Sequence, residues 1–279
     1  MSASELILVT GGTGGLGRRV VARLRNAGRK VRILSRRVHE SADGIEYAVG
    51  DLAKGEGGEG VEAAVAGVSI VVHCAGVGKI EEDTAQARNL SRAAREAGVV
   101  HLATISVVGA DRIPVKSGVD RAMFAYFASQ LAKERVVRES GLPWTNLRAT
   151  QFHDGFILSM VRGMSKLPIV PLPARFRFQP VDADEVADNL VQLALGTPAG
   201  QAPDIGGPRI YDAEYLLRSY LKAVGKRRAI LGVRMPGAAA DAIRAGANLT
   251  PDRAVGRRTW EEFLATEIAS PQARSLKVG

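Results

Sequence analysis

The apolar positions change rhythm along the chain, and the rhythm predicts the elements. Short continuous apolar runs alternate with stretches of helical periodicity through the first half. Residues 6–10, LILVT, read as a strand. Residues 16–27 read as a helix, with Val20, Val21 and Leu24 on one side and Arg18, Arg19, Arg23 and Arg25 interspersed. Strands follow at 30–35 and 45–49, a short helix at 61–66 and a strand at 69–74. Residues 84–97 form a helix, 100–107 a strand, 120–140 the longest helical pattern and 144–148 a sixth strand. The longest helix stops at Gly141-Leu142-Pro143, where glycine and then proline end a helix. Strands apolar on both faces belong in a sheet covered on both sides. The alternation therefore predicts an α/β fold, a Rossmann-type doubly wound parallel sheet.

After about residue 153 the rhythm changes. Residues 167–180 are rich in proline and read as irregular. Helices are expected at 183–195 and 213–224, and Thr259 with Glu262 makes a capping box that opens a last helix at 260–266. This half cannot form a sheet of comparable size. The expected organisation is a binding domain, residues 1–153, and a smaller substrate or cover lobe, residues 154–279. The boundary is approximate, and the lobe is free to contribute a strand back to the sheet.

Composition narrows the partners. The 279 residues, 46% of them hydrophobic, suffice for a substantial core. Lys and Arg number 38 against 29 Asp and Glu, a formal net charge of +9. That excess fits either a basic surface or a preference for anionic ligands. The basic residues are scattered, with neither zinc spacing nor an RNA-binding aromatic motif, so no nucleic-acid partner is expected. One cysteine, Cys74, permits no disulfide within the chain. The N-terminus has no basic stretch before its apolar run, and no run approaches the ~18 apolar residues that span a bilayer. A cytoplasmic protein without a membrane partner is expected.

The chemistry starts at Thr10-Gly11-Gly12-Thr13-Gly14-Gly15-Leu16-Gly17, between the first strand and the first helix. Glycine at 11, 14 and 17 allows a tight turn, close approach to a pyrophosphate and close helix–strand packing. The helix N-terminus then offers free N–H groups to phosphate. Thr13, Gly15 and Leu16 complete the expected cofactor loop. The second strand ends Ser35-Arg36-Arg37, without the acid that would hold a ribose 2′-hydroxyl. A guanidinium grips a 2′-phosphate through paired hydrogen bonds. Arg36, supported by Arg37, therefore predicts NADP(H), with NAD(H) as the alternative; two arginines facing solvent is the plainer reading.

Further motifs follow in order: Gly50-Asp51-Leu52, His73-Cys74-Ala75-Gly76, Ile105-Ser106-Val107-Val108-Gly109, Ser140-Gly141-Leu142-Pro143-Trp144-Thr145, the run from Leu147 to His153, and that from Phe178 to Val186. With the glycine loop they resemble the atypical short-chain dehydrogenases/reductases, specifically the NmrA-like NAD(P)-binding family. The resemblance covers nearly the whole chain and implies contacts position by position. Asp51 and Leu52 border the adenine. Cys74, Ala75 and Gly76 lie along the ribose and pyrophosphate. Ser106 and Val107–Val108 lie under the nicotinamide, and Gln151, Phe152 and His153 close that end.

The family's Tyr-x-x-x-Lys pair is matched only in part. Tyr126 stands at the tyrosine position, but Gln130 replaces the lysine. Gln130 can hydrogen-bond a ribose yet carries no charge; Lys133 is one turn farther along, at ~5 Å. The catalytic candidates are Tyr126, Ser106 and His153, and the substrate candidates Phe127, Gln151 and Phe152. Met123, Phe124, Phe127, Phe152, Phe156, Ile157 and Met160 either line an apolar pocket or are ordinary core between the lobes. His153 is equally a candidate acid/base and a structural histidine. Cys74 reads as a small buried strand-end residue, and no metal-ligand spacing is present.

Three functions fit. The first is an NADPH-dependent reductase of a small carbonyl, quinone or enone. The second is a non-catalytic NADP(H)-sensing regulator, and the third a sugar-nucleotide-type epimerase or dehydratase. The expected partner is a small-molecule substrate, bound by a monomer or homodimer.

Overall fold

The computed structural model describes residues 5–41 and 44–269. Seven parallel strands form the main sheet: β1 (Leu6–Thr10), β2 (Lys30–Ser35), β3 (Ile45–Val49), β4 (Ile70–His73), β5 (His101–Val107), β6 (Trp144–Ala149) and β9 (Gly200–Gln201). Their spatial order is β3-β2-β1-β4-β5-β6-β9. The order reverses between β1 and β4, which is where open sheets of this kind open a crevice at the carboxyl ends of their strands.

Alternation along each strand builds two cores. Ile7, Val9, Ile70, Val72, Ala103 and Leu147 face α1 (Gly15–Asn26) and α6 (Ala183–Leu195). Leu8, Val71 and Leu102 face α2 (Val61–Val65), α3 (Ile80–Glu96) and α4 (Gly118–Glu139). The helical stripe read from the sequence is the buried one: Val20 and Leu24 are fully buried and Val21 is 5% exposed. Each such side chain contributes about 1.5–3 kcal/mol. The expected fold class is therefore observed.

The second half supplies more to the main sheet than one strand. It adds β9, paired through Thr145 with Gly200, and it adds α6, packed on α1. Arg19 and Arg23 of α1 bind Asp184 of α6 at 3.0 Å each, and Arg19 reaches Asp154 at 2.6 Å. A third core holds the remainder. It joins α5 (Leu158–Met164), β7 (Ile169–Pro173), β8 (Arg177–Phe178), β10 (Tyr211–Asp212), α7 (Ala213–Ala223), β11 (Ala229–Val233), α8 (Ala238–Arg244) and α9 (Trp260–Ala269). Trp260 is fully buried there, its indole N–H bonded to Ser219 Oγ at 2.8 Å.

Several local expectations are corrected. The proline-rich stretch holds two short strands, and β7 pairs in parallel with β11. Ala174 N–H donates to Val233 across this ladder. Pro171 and Pro173 fall at the opposite parity of a strand with one partner, so their missing N–H groups leave no ladder bond unmade. A π-helical turn at His153–Ile157 runs into α5, and α8 is a further helix. Gly155, Gly163 and Gly237 hide both helices from a pattern reading. The long helix starts earlier than residue 120, because Ser117 and Asp120 form a reciprocal capping box. The capping box of Thr259 and Glu262 is present as expected.

Candidate functional site

The glycine loop is shaped by contact. Gly11 has φ +70°, and a Cβ there would lie 2.7 Å from Ala75 N at the end of β4. A Cβ on Gly17 would lie 2.1 Å from the Gly11 carbonyl. No side chain of ordinary stereochemistry fits either place. Gly15, by contrast, has only the Arg19 guanidinium within 4 Å. The first turn of α1 has no side-chain cap and no acidic residue, and Thr13, Gly14 and Gly15 are exposed. Free N–H groups, a partial positive charge and open space above them suit a pyrophosphate.

At the β2 side of this loop Arg36 and Arg37 are exposed, and their guanidinium groups make no ion pair among the described residues. Ser35 Oγ accepts the Arg37 N–H at 3.1 Å and lies 3.1 Å from His39 Nε2. His39 stacks on Tyr47 at 4.7 Å. Asp51 Oδ1 accepts the Ala53 N–H at 2.9 Å, so it stiffens its own turn. Leu52 is 5% exposed and joins the core beside α2 and α3.

On the other side lie the ends of β4 and β5. Thr10, His73, Thr104 and Ser106 share strand parity with Leu8, Val71 and Leu102, so they point to the face covered by α3 and α4. They form a buried polar row beneath the crevice. Thr10 Oγ1 and His73 Nδ1 are 2.6 Å apart. Burial, and secondarily Lys133, pulls the His73 pKa down to about 3, so the ring is neutral. Ser106 Oγ is buried without a hydrogen-bond partner among the described residues. Burial pushes the Cys74 thiol up to about 12, which excludes a thiolate near neutral pH.

Tyr126 stands against the loop that follows β4. Its ring lies 3.4 Å from where a Cβ on Gly78 would be and meets Phe127 edge-on at 6.1 Å. Burial first and the Asp83 carboxylate second push its pKa up to about 12. Tyr126 is 48% exposed, so water screens part of the burial effect. The direction decides the chemistry: the phenol keeps its proton at neutral pH. Gln130, one turn on, is 3% exposed.

The remaining candidates divide. Met123 and Phe156 are more than half exposed, whereas Phe124 and Ile157 are core. Phe127 and Met160 pack partly against that core, and Phe152 against the core under β6. Gln151 faces no open space: its amide donates to Asn248 O at 3.1 Å and accepts from Gln179 N at 3.1 Å. His153 is 1% exposed, stacked on Phe263 at 5.0 Å, with both ring nitrogens unpartnered among the described residues. Burial lowers its pKa to about 4. These are the surroundings of a neutral histidine packed against α9.

Comparison with known proteins matches this arrangement. Residues 11–193 fit the family model described as NAD(P)H-binding. A (4-alkanoyl-5-oxo-2,5-dihydrofuran-3-yl)methyl phosphate reductase of Streptomyces griseus is 30% identical over 231 residues, 79% of this chain and 74% of that one. This chain belongs to the NAD(P)H-binding family. Among solved structures, an NAD-bound short-chain dehydrogenase/reductase superfamily protein from Agrobacterium tumefaciens superposes with a TM-score of 0.71. It is 20% identical and covers 98% of this chain and 99% of its own. The NADPH-dependent quinone oxidoreductase QOR2 of Escherichia coli, solved with NADPH, gives a TM-score of 0.75 at 18% identity, over 94% and 99% of the two chains. The expected Rossmann-type fold and membership of an NAD(P)H-binding family both hold. Among the described residues no helix is long and apolar enough to cross a membrane.

Two residues of this NAD(P)H-binding chain, Asp83 and Asn89, escaped the sequence reading, and a third, Lys133, figured there only as a lysine one turn beyond Gln130. Asp83 is 1% exposed and accepts from Val77 N at 2.7 Å, from Gly78 N at 2.9 Å and from Ser129 Oγ. It fixes the loop under Tyr126. Asn89 holds the glycine-rich loop beyond β3, donating to Leu52 O at 2.8 Å and accepting from Gly57 N at 3.1 Å. Lys133 is 1% exposed and donates to Ile105 O at 2.6 Å. Asp83 carried a usable signal, being the third acid in Glu81-Glu82-Asp83 at a helix start. Asn89 carried none, and Lys133 carried only its helical spacing from Tyr126.

Proposed function

We propose that the chain is an NADP(H)-dependent reductase of a small carbonyl, quinone or enone. The observation that carries this reading is a pair of neutral hydroxyls at the C-terminal edge of the sheet: Ser106 Oγ, buried and unbonded, and the half-open phenol of Tyr126. Hydride addition to a conjugated carbonyl places negative charge on oxygen, and positioned hydroxyl donors stabilise such charge. With burial, and then Asp83, raising its pKa, Tyr126 serves as a hydrogen-bond donor more readily than as a strong acid. Acceptors that need little protonation suit it.

The residues present fit a dinucleotide. The N-terminus of α1 and Thr13–Gly15 would hold the pyrophosphate, Cys74–Gly76 and Gln130 the ribose, and Asp51 and Leu52 the adenine side. Arg36 and Arg37 support the 2′-phosphate form over NAD(H). When bound, the cofactor supplies the hydride. The reductase name of the Streptomyces relative, whose substrate carries a ring oxo group, supports the same reaction class here.

The test is NADPH oxidation against a panel of quinones, enones and oxo-dihydrofurans. Turnover with at least one of them, falling about 100-fold in Tyr126→Phe or Ser106→Ala, is expected. Tight cofactor binding with no turnover across the panel would replace this reading with a cofactor sensor.

A further inference from the structure

Lys133 is a buried cation that the reductase reading does not use. Its ammonium has three donors and one protein acceptor, Ile105 O, and forms no ion pair among the described residues. A desolvated charge so placed is costly, and the fold keeps it. Side chains on a helix lean toward its N-terminus, so Lys133 reaches back along α4 toward the crevice. The groups that act on it lie at that edge: Asp83 at the start of α3, Cys74 and His73 at the end of β4, and Glu134 on its own helix.

The sheet order fixes what lies above. Arg36 ends β2, and the glycine loop with its helix N-terminus follows β1. A dinucleotide whose adenosine phosphate meets Arg36 and whose pyrophosphate meets that loop must carry its nicotinamide half toward β4 and β5. Lys133 sits beneath those two strand ends. The two redox forms of the cofactor differ there by one charge, since the reduced ring is neutral and the oxidised ring cationic.

We propose that Lys133 is a redox-state selector, a buried positive charge that favours the reduced dinucleotide and expels the oxidised one. Electrostatic repulsion acts through low-dielectric protein without direct contact. Asp83 works in the opposite sense, but its carboxylate is engaged by three donors of its own. The selection depends on cofactor binding alone and holds whether or not the chain proves to be a reductase.

The experiment measures dissociation constants for NADPH and NADP⁺ by fluorescence titration at pH 6.5, 7.5 and 9.5. Lys133→Met should shift the affinity ratio about tenfold toward NADP⁺ at pH 6.5. Asp83→Asn should shift it the other way. Burial draws the Lys133 pKa down to about 8, so the wild-type ratio should drift toward the Lys133→Met value by pH 9.5 while that variant stays flat. His73, near 3, and Cys74, near 12, do not titrate in this range. Removing a desolvated charge should leave thermal stability equal or higher, whereas a purely structural lysine would lose it. An unchanged ratio in folded Lys133→Met, or a pH drift that survives the substitution, would overturn the proposal.

Discussion

The two edges of the crevice are built by different physics. At β1 and α1 the site is a matter of space: Gly11 and Gly17 stand where a Cβ would lie 2.7 Å or less from backbone atoms. At β4, β5 and α4 it is a matter of charge and desolvation: Asp83, Lys133, His73 and Ser106 are each no more than 4% exposed, and burial first lowers the pKa of both Lys133 and His73. The first edge tolerates no added atom at Gly11 or Gly17. The second accepts isosteric changes in shape, and its behaviour depends on which groups carry protons.

The comparison breaks most visibly at Gly17. Gly17→Ala puts a methyl 2.1 Å from the Gly11 carbonyl. Either the loop moves, with a loss of about 100-fold or more in cofactor affinity, or the fold loses about 1–3 kcal/mol. Titration with NADPH alongside thermal unfolding reads both. Normal values on both counts would remove the steric account of this edge.

Acid tests the charge-controlled side next. The ordinary pKa of His153 is 6.5, and burial lowers it to about 4 in the folded chain. Above 6.5 both folded and unfolded chains carry it neutral. As pH falls from 6.5 to about 4 only the unfolded chain takes up the proton, so stability drops, by about 3 kcal/mol in total. Urea midpoints at pH 7.5 and 5 should separate in the wild type and separate by less in His153→Leu, where His73 keeps its own share. Equal separation in both would place the acid sensitivity elsewhere, His73 being the next group.

Asp83→Asn should cost about 2 kcal/mol, because an amide NH2 takes the place of one carboxylate oxygen and leaves at least one of its three donors without an acceptor. The tyrosine absorbance titration should also show Tyr126 ionising at lower pH, since a negative neighbour has gone. A stability loss without that shift would detach Asp83 from the phenol. The smallest expected effect is at Arg36: Arg36→Ala should weaken NADPH about tenfold and leave NADH unchanged. Equal affinities before and after would return the arginines to the role of solvated surface.

The two edges were also unequally legible. The glycine loop lies within eight consecutive residues, and the requirement that selects glycine is local, so spacing alone announced it. The stripe of Val20, Val21 and Leu24 was legible for the same reason. Asp83 was not, because its partners include Ser129, 46 residues away. It fell one residue outside the helix expected at 84. Gln151 and His153 were placed at the correct strand end, but their direction was beyond reach. Gln151 turns to Asn248, 97 residues on, and His153 to Phe263.

The sequence by itself determined the strand and helix rhythm, the parallel sheet and the glycine loop. Each depends on the periodicity or stereochemistry of neighbours in the chain. Tertiary structure alone decided that α6 and β9 complete the first sheet and that the proline-rich stretch pairs as a strand. It also decided that Lys133 loses its water beneath the crevice. Burial and electric field are properties of everything packed around a group, and the elements that pack around Lys133 come from three separate parts of the chain.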